Sequence, residues 1–371
     1  MKYKHSVYIG RFQPIHEAHL ASIKIALELA DHLILFIGSA KRPPDIKNPW
    51  SFDERKIIVT RAIREYFGEE PTEIGWSDYP KNTIMSRITI LPLRDYMYSE
   101  THWISEVYAG ATSAGAEHGT RNTILLGGYK DDSSYYLNSF PYWSFKEINM
   151  MFDRMSAIDV RYDLFKYGEI DSAEYVMPST KQYAKDWMHT DGGIYIQESY
   201  DFHVAKWKEE EIIRKALEEA GIEYFPRIDQ TVDALVVKSG CVLLIKRKIH
   251  PGKGLWALPG GYLNAAETMN VAVARELKEE TNIMVPMDLL LPALYRKDPK
   301  VFNHPLRSLR RRIITHVFKA NLGSSGQLPT IKAGDDAKEA HWIPLYDALQ
   351  LEDKMFEDHY DILFNMMVSN K

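Results

Sequence analysis

The chain carries a single cysteine, Cys241, among 371 residues. One thiol excludes an internal disulfide and a cysteine-rich zinc site, and it suits a reducing compartment. Long hydrophobic runs are missing too. The longest membrane-like stretch, "LILFIG" at Leu33–Gly38, is far short of the roughly 20 residues that a spanning helix needs. The opening "MKYKHSVYIG" is charged and its apolar run is only four residues, which does not fit a secretory signal. A cytoplasmic protein without membrane contact is therefore expected. Positive charge is not in excess: 46 Lys and Arg face 51 Asp and Glu, a net charge of −5. No global basic field is available to hold nucleic acid, so none is expected as a partner. Internal repeats and low-complexity segments are also absent from the sequence. The composition leaves a homo-oligomer open.

What is present reads as two domains, since the chain is long for one core. Four short apolar runs read as strands: Ser6–Gly10, His32–Gly38, Arg87–Leu93 and Asn122–Gly128. Amphipathic stretches lie between them. "HEAHLASIKIALELA" places Leu20, Ile23, Leu27 and Ala30 at helical spacing. "PWSFDERKIIVTRAIREYF" offers Ser51 as a helix N-cap with Glu54 three residues on. "SETHWISEVYAGATSAGAEHG" reads as a third helix weakened by its glycines. This alternation predicts a parallel sheet with helices on both faces. Residues 142–191 are irregular. Ser199–Gly221 is a strongly charged helix, and the domain connection is placed there. Beyond it, "DALVVKSGCVLLIKRK" reads as a hairpin turning at Ser239–Gly240, and a glycine-rich loop leads into the helix "AAETMNVAVARELKEET". The second half is mixed α+β. The expected divisions are 1–190, a connecting 191–225, and 226–371.

The chemistry of the second half lies in "GYLNAAETMNVAVARELKEETNI", Gly261–Ile283. Glu276, Glu279 and Glu280 fall at i, i+3 and i+4 and share a helix face. Crowded carboxylates repel unless a cation sits among them, and hard oxygen donors suit Mg²⁺ or Mn²⁺. A solvated acidic helix is the competing reading of the glutamates taken alone. The whole stretch resembles the Nudix box, with Gly261, Glu267, Arg275, Glu276, Leu277, Glu279, Glu280 and Ile283 in register. Asn282 stands where that family has glycine, and asparagine tolerates the left-handed conformation such a position asks for. The resemblance implies an α/β/α fold that hydrolyses a nucleoside diphosphate linked to another group. It implies Glu276 and Glu280 as principal metal ligands, Glu279 as a ligand or an aid to the attacking water, and Arg275 as the group that orients them. Gly261 is placed at the metal, where glycine lets the backbone approach. Further on, "KVFNHPLRSLRRRIITHVF" is similar to a segment of Nudix domains that act on ADP-ribose. Arg307, Arg310 and Arg312 match it and are expected to bind ADP-ribose, with a solvated loop or, less in keeping with an acidic chain, a nucleic-acid patch as the alternatives; Arg311 replaces the usual glycine.

In the first half, "GRFQPIHEAHL" (Gly10–Leu20) sets His16 and His19 three residues apart, after a strand that ends at Gly10. A metal site would need a third ligand, and none is evident nearby. Packing of one histidine in the core is a second reading. A third is anion binding: a helix N-terminus offers free N–H groups and the positive end of its dipole. Arg11 and the two imidazoles add donors there. The pattern Gly-x-Phe-x-Pro-x-His-x-x-His resembles the signature of the nucleotidyltransferase superfamily. The longer form, together with "GSAKRPPDIKNPWSFDERKIIV", "LPLRDYMYSETHWISEV" and "LLGGYKDDSSYYLNSFPYW", is similar to the archaeal-type nicotinamide mononucleotide (NMN) adenylyltransferases. With both halves in this order, the chain resembles the bifunctional NMN adenylyltransferase/Nudix hydrolases. The fold expectation is then α/β: a Rossmann-like nucleotidyltransferase domain with a parallel sheet, followed by a mixed-sheet Nudix domain.

That resemblance implies ATP and NMN (or NAD) as ligands of the first half and ADP-ribose as the ligand of the second. His16, His19 and Arg11 would carry the transfer, with Gly10 allowing close approach. Asn48 and Arg55 match family positions and are expected at the ligand; surface capping or ion pairing is the alternative. Trp103 is expected to stack on nicotinamide or else to pack in the core. Gly127 and Gly128 end a strand where a nucleotide approaches, and Lys130 reaches phosphate or is solvated. The family's second phosphate motif, Ser-Thr-x-x-Arg, corresponds to "PSTKQYAKDW" (Pro178–Trp187). Ser179 and Thr180 match, but Tyr183 replaces the arginine, so Lys181 or Lys185 must substitute or ATP binding is weakened. Two alternatives remain: a Nudix half that senses ADP-ribose without cleaving it, and a transferase half that is weakened or takes another acceptor.

Overall fold

The structure is a computed structural model that describes residues 2–69, 83–117, 121–128, 136–148, 156–170, 173–334 and 336–368. It divides into two compact units, Met1–Gln197 and Glu198–Lys371.

In the first unit, β1 (Tyr3–Gly10) runs into α1 (Glu17–Leu29), then β2 (Ala30–Ile37), α2 (Phe52–Tyr66), β3 (Ile88–Pro92), α3 (Glu100–Ser113), β4 (Thr123–Gly127) and β5 (Ser144–Glu147). The strands form one sheet in the order β3-β2-β1-β4-β5, parallel throughout. Central strands of such a sheet are covered on both faces and are nearly all apolar; Leu33–Ile37 of β2 is fully buried accordingly. β1 has β2 on one side and β4 on the other. The winding reverses at β1, and the crevice beyond its carboxyl end is where open α/β sheets bind ligands. Gly10 lies at that end. Ser51 caps α2 reciprocally with Glu54, as the sequence predicts. α3 stops at Ser113, before Gly115 at φ +95°, so residues 114–117 are not helical. β5 has no counterpart in the sequence reading. It is short and largely exposed, so it has no apolar pattern to read. Helices α4 (Ala157–Tyr167) and α5 (Pro178–Trp187) follow.

α6 (Asp191–Glu219) is one continuous helix that starts eight residues before the charged stretch, and the division between units falls within it.

The second unit continues with β6 (Ile228–Lys238), β7 (Cys241–Arg247), β8 (Trp256–Ala257), β9 (Gly260–Tyr262), α7 (Met269–Thr281), α8 (Met287–Leu294), β10 (Lys300–Phe302), β11 (Arg312–Asn321), β12 (Ala337–Pro344), α9 (Leu345–Ala348) and α10 (His359–Met367). Its seven-stranded sheet is ordered β10-β11-β6-β7-β12, with β8 on β7 and β9 on β6. Among the described residues, β11 and β6 pair parallel and the other strand pairs antiparallel, so the sheet is mixed. The β6–β7 hairpin turns at Ser239 (φ 49°) and Gly240 (φ 76°), both left-handed, which matches the twist of the strands. Val232, Ala234 and Val236 of β6 pack with Ala272, Val273 and Leu277 of α7 in the core. That packing fixes α7 on the sheet and leaves its acidic face toward β9.

Among the described residues, no helix is long and apolar enough to cross a membrane.

Candidate active sites

The loop after β1 is built around close contacts. A Cβ on Gly10 would lie 2.7 Å from the Phe12 ring, so only glycine fits there. Phe12, at φ 50°, is buried and packs edge-on against His19 at 5.0 Å. His16 is the N-cap of α1, and its ring lies 3.8 Å from that of His19. The His16 N–H donates to His19 Nδ1 at 3.3 Å, and the Glu17 N–H donates to the Tyr175 carbonyl at 2.9 Å. The two imidazoles therefore lie against each other at the helix start, tilted by 38°. Among the described residues, no group of three His, Cys, Asp or Glu gathers as a metal site.

Behind this loop lie two buried arginines. Arg55 donates to four backbone carbonyls: Arg11 (2.8 Å), Gly38 (2.6 Å), Ser39 (3.1 Å) and Ser51 (3.2 Å). Its guanidinium is engaged by the chain rather than by a surface ion pair. Burial lowers its pKa to about 10. Arg161 of α4, which no motif singles out, donates to the Gln13 carbonyl and to that of Ile46 (3.3 Å). Burial lowers its pKa to about 10 as well. Gln13 in turn donates to the Trp50 carbonyl at 3.1 Å. The loop is thus tied to the 46–51 segment from both sides. Asn48 is buried; its side-chain nitrogen reaches Asp45 at 3.4 Å, and its Oδ1 has no hydrogen-bond partner.

Other expected residues fall in different settings. Trp103, partly buried, packs edge-on against Tyr136 (5.3 Å) and beside Phe140 (6.2 Å) at the edge of an apolar cluster. A Cβ on Gly127 would strike Leu137 at 2.4 Å, so this glycine makes room for that side chain. Lys130 lies outside the described residues. Ser179 and Thr180 open α5, and their hydroxyl oxygens are buried without partners. The Ser179 N–H, however, donates to the Glu65 carboxylate at 3.1 Å. Lys185, offered as a substitute cation, pairs with Glu169 at 3.4 Å. Tyr183 lies beneath the Arg61 guanidinium, 5.9 Å from the ring centre.

In the second unit, Thr268 caps α7 and Asn282 ends it at φ 41°, the left-handed conformation expected of it. Arg275 organises the acidic face. It holds Glu267 (2.6 and 3.0 Å), Glu276 (2.8 Å), Glu279 (3.0 Å) and the Tyr262 carbonyl (3.2 Å). Hydrogen bonds from Arg275 hold Glu267 down at about 2. Glu280 is 5% exposed and accepts the Gly260 N–H at 2.9 Å. Burial pushes its pKa up to about 8; the Gly260 N–H opposes this and Glu276 adds to it. Burial raises Glu276 too, against Arg275. A Cβ on Gly261 would lie 2.4–2.6 Å from the Glu276 carboxylate, so the backbone and the acid meet closely. Hard oxygen donors on one helix face, beside a glycine strand, fit a divalent cation. As the side chains stand, Arg275 holds Glu276 and Glu279, and no three acidic groups converge on one point among the described residues.

The arginine segment divides. Arg307, 3% exposed, makes a bidentate pair with buried Asp358 at 2.9 and 3.0 Å. That pair is buried on both sides. Arg310 pairs with Glu357 (3.0 Å), reaches the Tyr262 hydroxyl (3.1 Å) and lies over Phe356 (5.4 Å). Arg312 keeps a buried Nη1 without a partner. Arg311 pairs with Asp229 at 3.4 Å, which explains a charge where glycine is usual. Phe356–His359 and Arg247, which stacks on Phe356 at 4.2 Å, were not found by sequence spacing.

Both halves of the chain resemble known proteins. Residues 227–366 match the NUDIX domain family and residues 7–108 the cytidylyltransferase-like family. The chain is 32% identical over 174 residues to a nicotinamide/nicotinic acid mononucleotide adenylyltransferase of Acinetobacter baylyi, covering 46% of this chain and 81% of that protein. It is 39% identical over 131 residues to an ADP-ribose pyrophosphatase of Methanocaldococcus jannaschii, covering 34% and 70%. A crystal structure of a bifunctional NMN adenylyltransferase/ADP ribose pyrophosphatase from Francisella tularensis, complexed with AMP and a manganese ion, superposes over 99% of both chains with a TM-score of 0.83 at 32% identity. The chain belongs to the family of bifunctional NMN adenylyltransferase/ADP-ribose pyrophosphatases.

Proposed function

We propose that one chain joins NMN to ATP in its first domain and cleaves ADP-ribose in its second. The domains are assigned to 1–190 and 226–371, with 191–225 between them. In the first reaction, a phosphate oxygen of NMN attacks the α-phosphorus of ATP. The bond to the β-phosphate breaks, and NAD and pyrophosphate form. The nucleophile is already an anion, so no general base is required. The residues align two anions and stabilise charge on the transferring group. His16, His19, Arg11 and the start of α1 are assigned that work, with Gly10 giving access and Asn48, Ser179 and Thr180 at the ligand. Arg55 and Arg161 hold the loop in place and add buried positive charge behind it.

In the second reaction, water attacks a phosphorus of ADP-ribose, the P–O–P bridge breaks, and AMP and ribose 5-phosphate leave. Members of this hydrolase family depend on a divalent metal, and we assign Mg²⁺ or Mn²⁺. When bound, the metal polarises the diphosphate and supplies hydroxide near neutral pH. Glu276 and Glu280 are assigned as its ligands, Glu279 as a ligand or water-orienting group, and Gly261 as the close backbone approach. Arg275 keeps the carboxylates in register. Arg310 and Arg312 are assigned to the substrate.

The observation that carries the reading is the clamp of Arg275 on Glu267, Glu276 and Glu279, beside Glu280 on the Gly260 N–H. A sensor has no need of that arrangement. Incubation with Mg²⁺, NMN and ATP should yield NAD, and incubation with ADP-ribose should yield AMP and ribose 5-phosphate, both read by chromatography. No NAD in the first, or no AMP in the second, removes the corresponding assignment.

A further inference from the structure

The segment Phe356–His359 touches both halves of the hydrolytic site. Phe356 lies between the guanidinium groups of Arg247 and Arg310, at 4.2 and 5.4 Å. Glu357, at φ 47°, takes Arg310 and the Ser308 hydroxyl. A non-glycine residue held there is strained and persists only where its surroundings fix it. Asp358 takes Arg307. His359, 6% exposed, accepts the Leu258 N–H on Nδ1 at 3.0 Å.

Leu258 stands two residues before Gly260. The stretch from Leu258 to Tyr262 is anchored by Leu258 on His359, by the Pro259 carbonyl on the Ala234 N–H at 2.8 Å, by β9 on β6, and by Arg275 and Arg310 on the Tyr262 carbonyl and hydroxyl. From those anchors, Gly260 presents its N–H to Glu280, and Gly261 lies under the Glu276 carboxylate. A buried N–H left without an acceptor costs about 1–3 kcal/mol, so loss of the imidazole would let this stretch shift. The acceptor geometry requires Nδ1 without a proton, which fixes the tautomer with hydrogen on Nε2. Burial lowers the pKa of this histidine, against Asp233, Asp358 and Glu357 and with Arg307, in keeping with a neutral ring.

We propose that His359 is a positioning residue of the hydrolytic site, holding Leu258 so that the Gly260 N–H meets Glu280 and Gly261 meets Glu276. The idea rests on the assignment of those glutamates to the metal. It differs from a merely structural histidine in what it predicts. Asparagine places an acceptor oxygen where Nδ1 stands, whereas alanine and leucine do not.

The test uses the full chain and three variants, His359→Ala, His359→Leu and His359→Asn. Mn²⁺ affinity is read by electron paramagnetic resonance, and exchange of the Leu258 and Gly260 amides by NMR without metal. The alanine and leucine variants should bind Mn²⁺ about tenfold more weakly and lose about 10- to 100-fold in kcat on ADP-ribose, with KM little changed. Both amides should lose protection. The asparagine variant should regain most of each quantity, and NMN adenylyl transfer should be unchanged in all three. Leucine, which fills the space, separates packing from hydrogen bonding. Unaltered Mn²⁺ affinity and amide protection in His359→Ala, or equal loss in the asparagine and leucine variants, would overturn the proposal. If the unmodified chain fails to cleave ADP-ribose, the parent assignment falls, while the Mn²⁺ and exchange readings still decide the role of His359.

Discussion

The two sites of this chain have opposite charge logic. Around the Gly10–Glu17 loop, two buried arginines donate to backbone carbonyls, and among the described residues neither pairs with a carboxylate. On and just before α7, Glu267, Glu276 and Glu279 are gathered around Arg275, and Glu280 is buried on a backbone N–H. The first is a cationic nest that suits an anion directly. The second is an anionic face that suits an anion only through a divalent cation. One chain thus meets two kinds of diphosphate chemistry with two different electrostatic solutions, and the difference can be attacked residue by residue.

The largest effect expected in the first unit comes from His16. His16→Ala should reduce adenylyl transfer about 10²- to 10³-fold and leave ADP-ribose hydrolysis as it was, measured by NAD and AMP formation on the same preparation. Equal loss in both assays would mean that the two sites are not separable in this way.

Arg161 gives a structural version of the same comparison. Arg161→Met strips the donors from the Gln13 and Ile46 carbonyls. It should cost the first unit about 1–3 kcal/mol for each acceptor left dry, read by urea unfolding, and it should raise the KM for ATP. An unchanged midpoint would contradict the picture of a loop held by buried charge.

The smallest effect concerns Tyr183. Tyr183→Arg should lower the KM for ATP only by about twofold to fivefold, because a part-exposed charge in water is worth about 1 kcal/mol or less. Glu65 already takes the Ser179 N–H at the start of α5. No change in KM would mean that α5 does not meet the polyphosphate.

Much of this molecule could be read from local pattern. Strands of Val, Leu and Ile alternating with capped amphipathic helices announce a parallel sheet. The α7 glutamates could be placed because i, i+3 and i+4 spacing puts them on one face whatever the rest of the chain does. Asn282 could be read because a left-handed helix end restricts its occupant. What could not be read depends on burial and on distant partners. Arg55 and Arg307 look like ligand arginines in sequence, and only the fold turns one onto carbonyls and the other onto Asp358. Arg161 meets Gln13 across 148 residues, and His359 meets Leu258 across 101. Such pairs leave no periodicity. The contact of Gly127 with Leu137 leaves no pattern either, because a glycine at a strand end serves equally well for a nucleotide or for a side chain.

The most direct test of the two-site account is Glu280→Gln assayed for both reactions on one preparation. The account predicts that AMP release from ADP-ribose falls by about 10² or more while NAD synthesis from NMN and ATP keeps its rate. Hydrolysis that survives the substitution, or NAD synthesis that falls with it, would contradict the separation of the two chemistries.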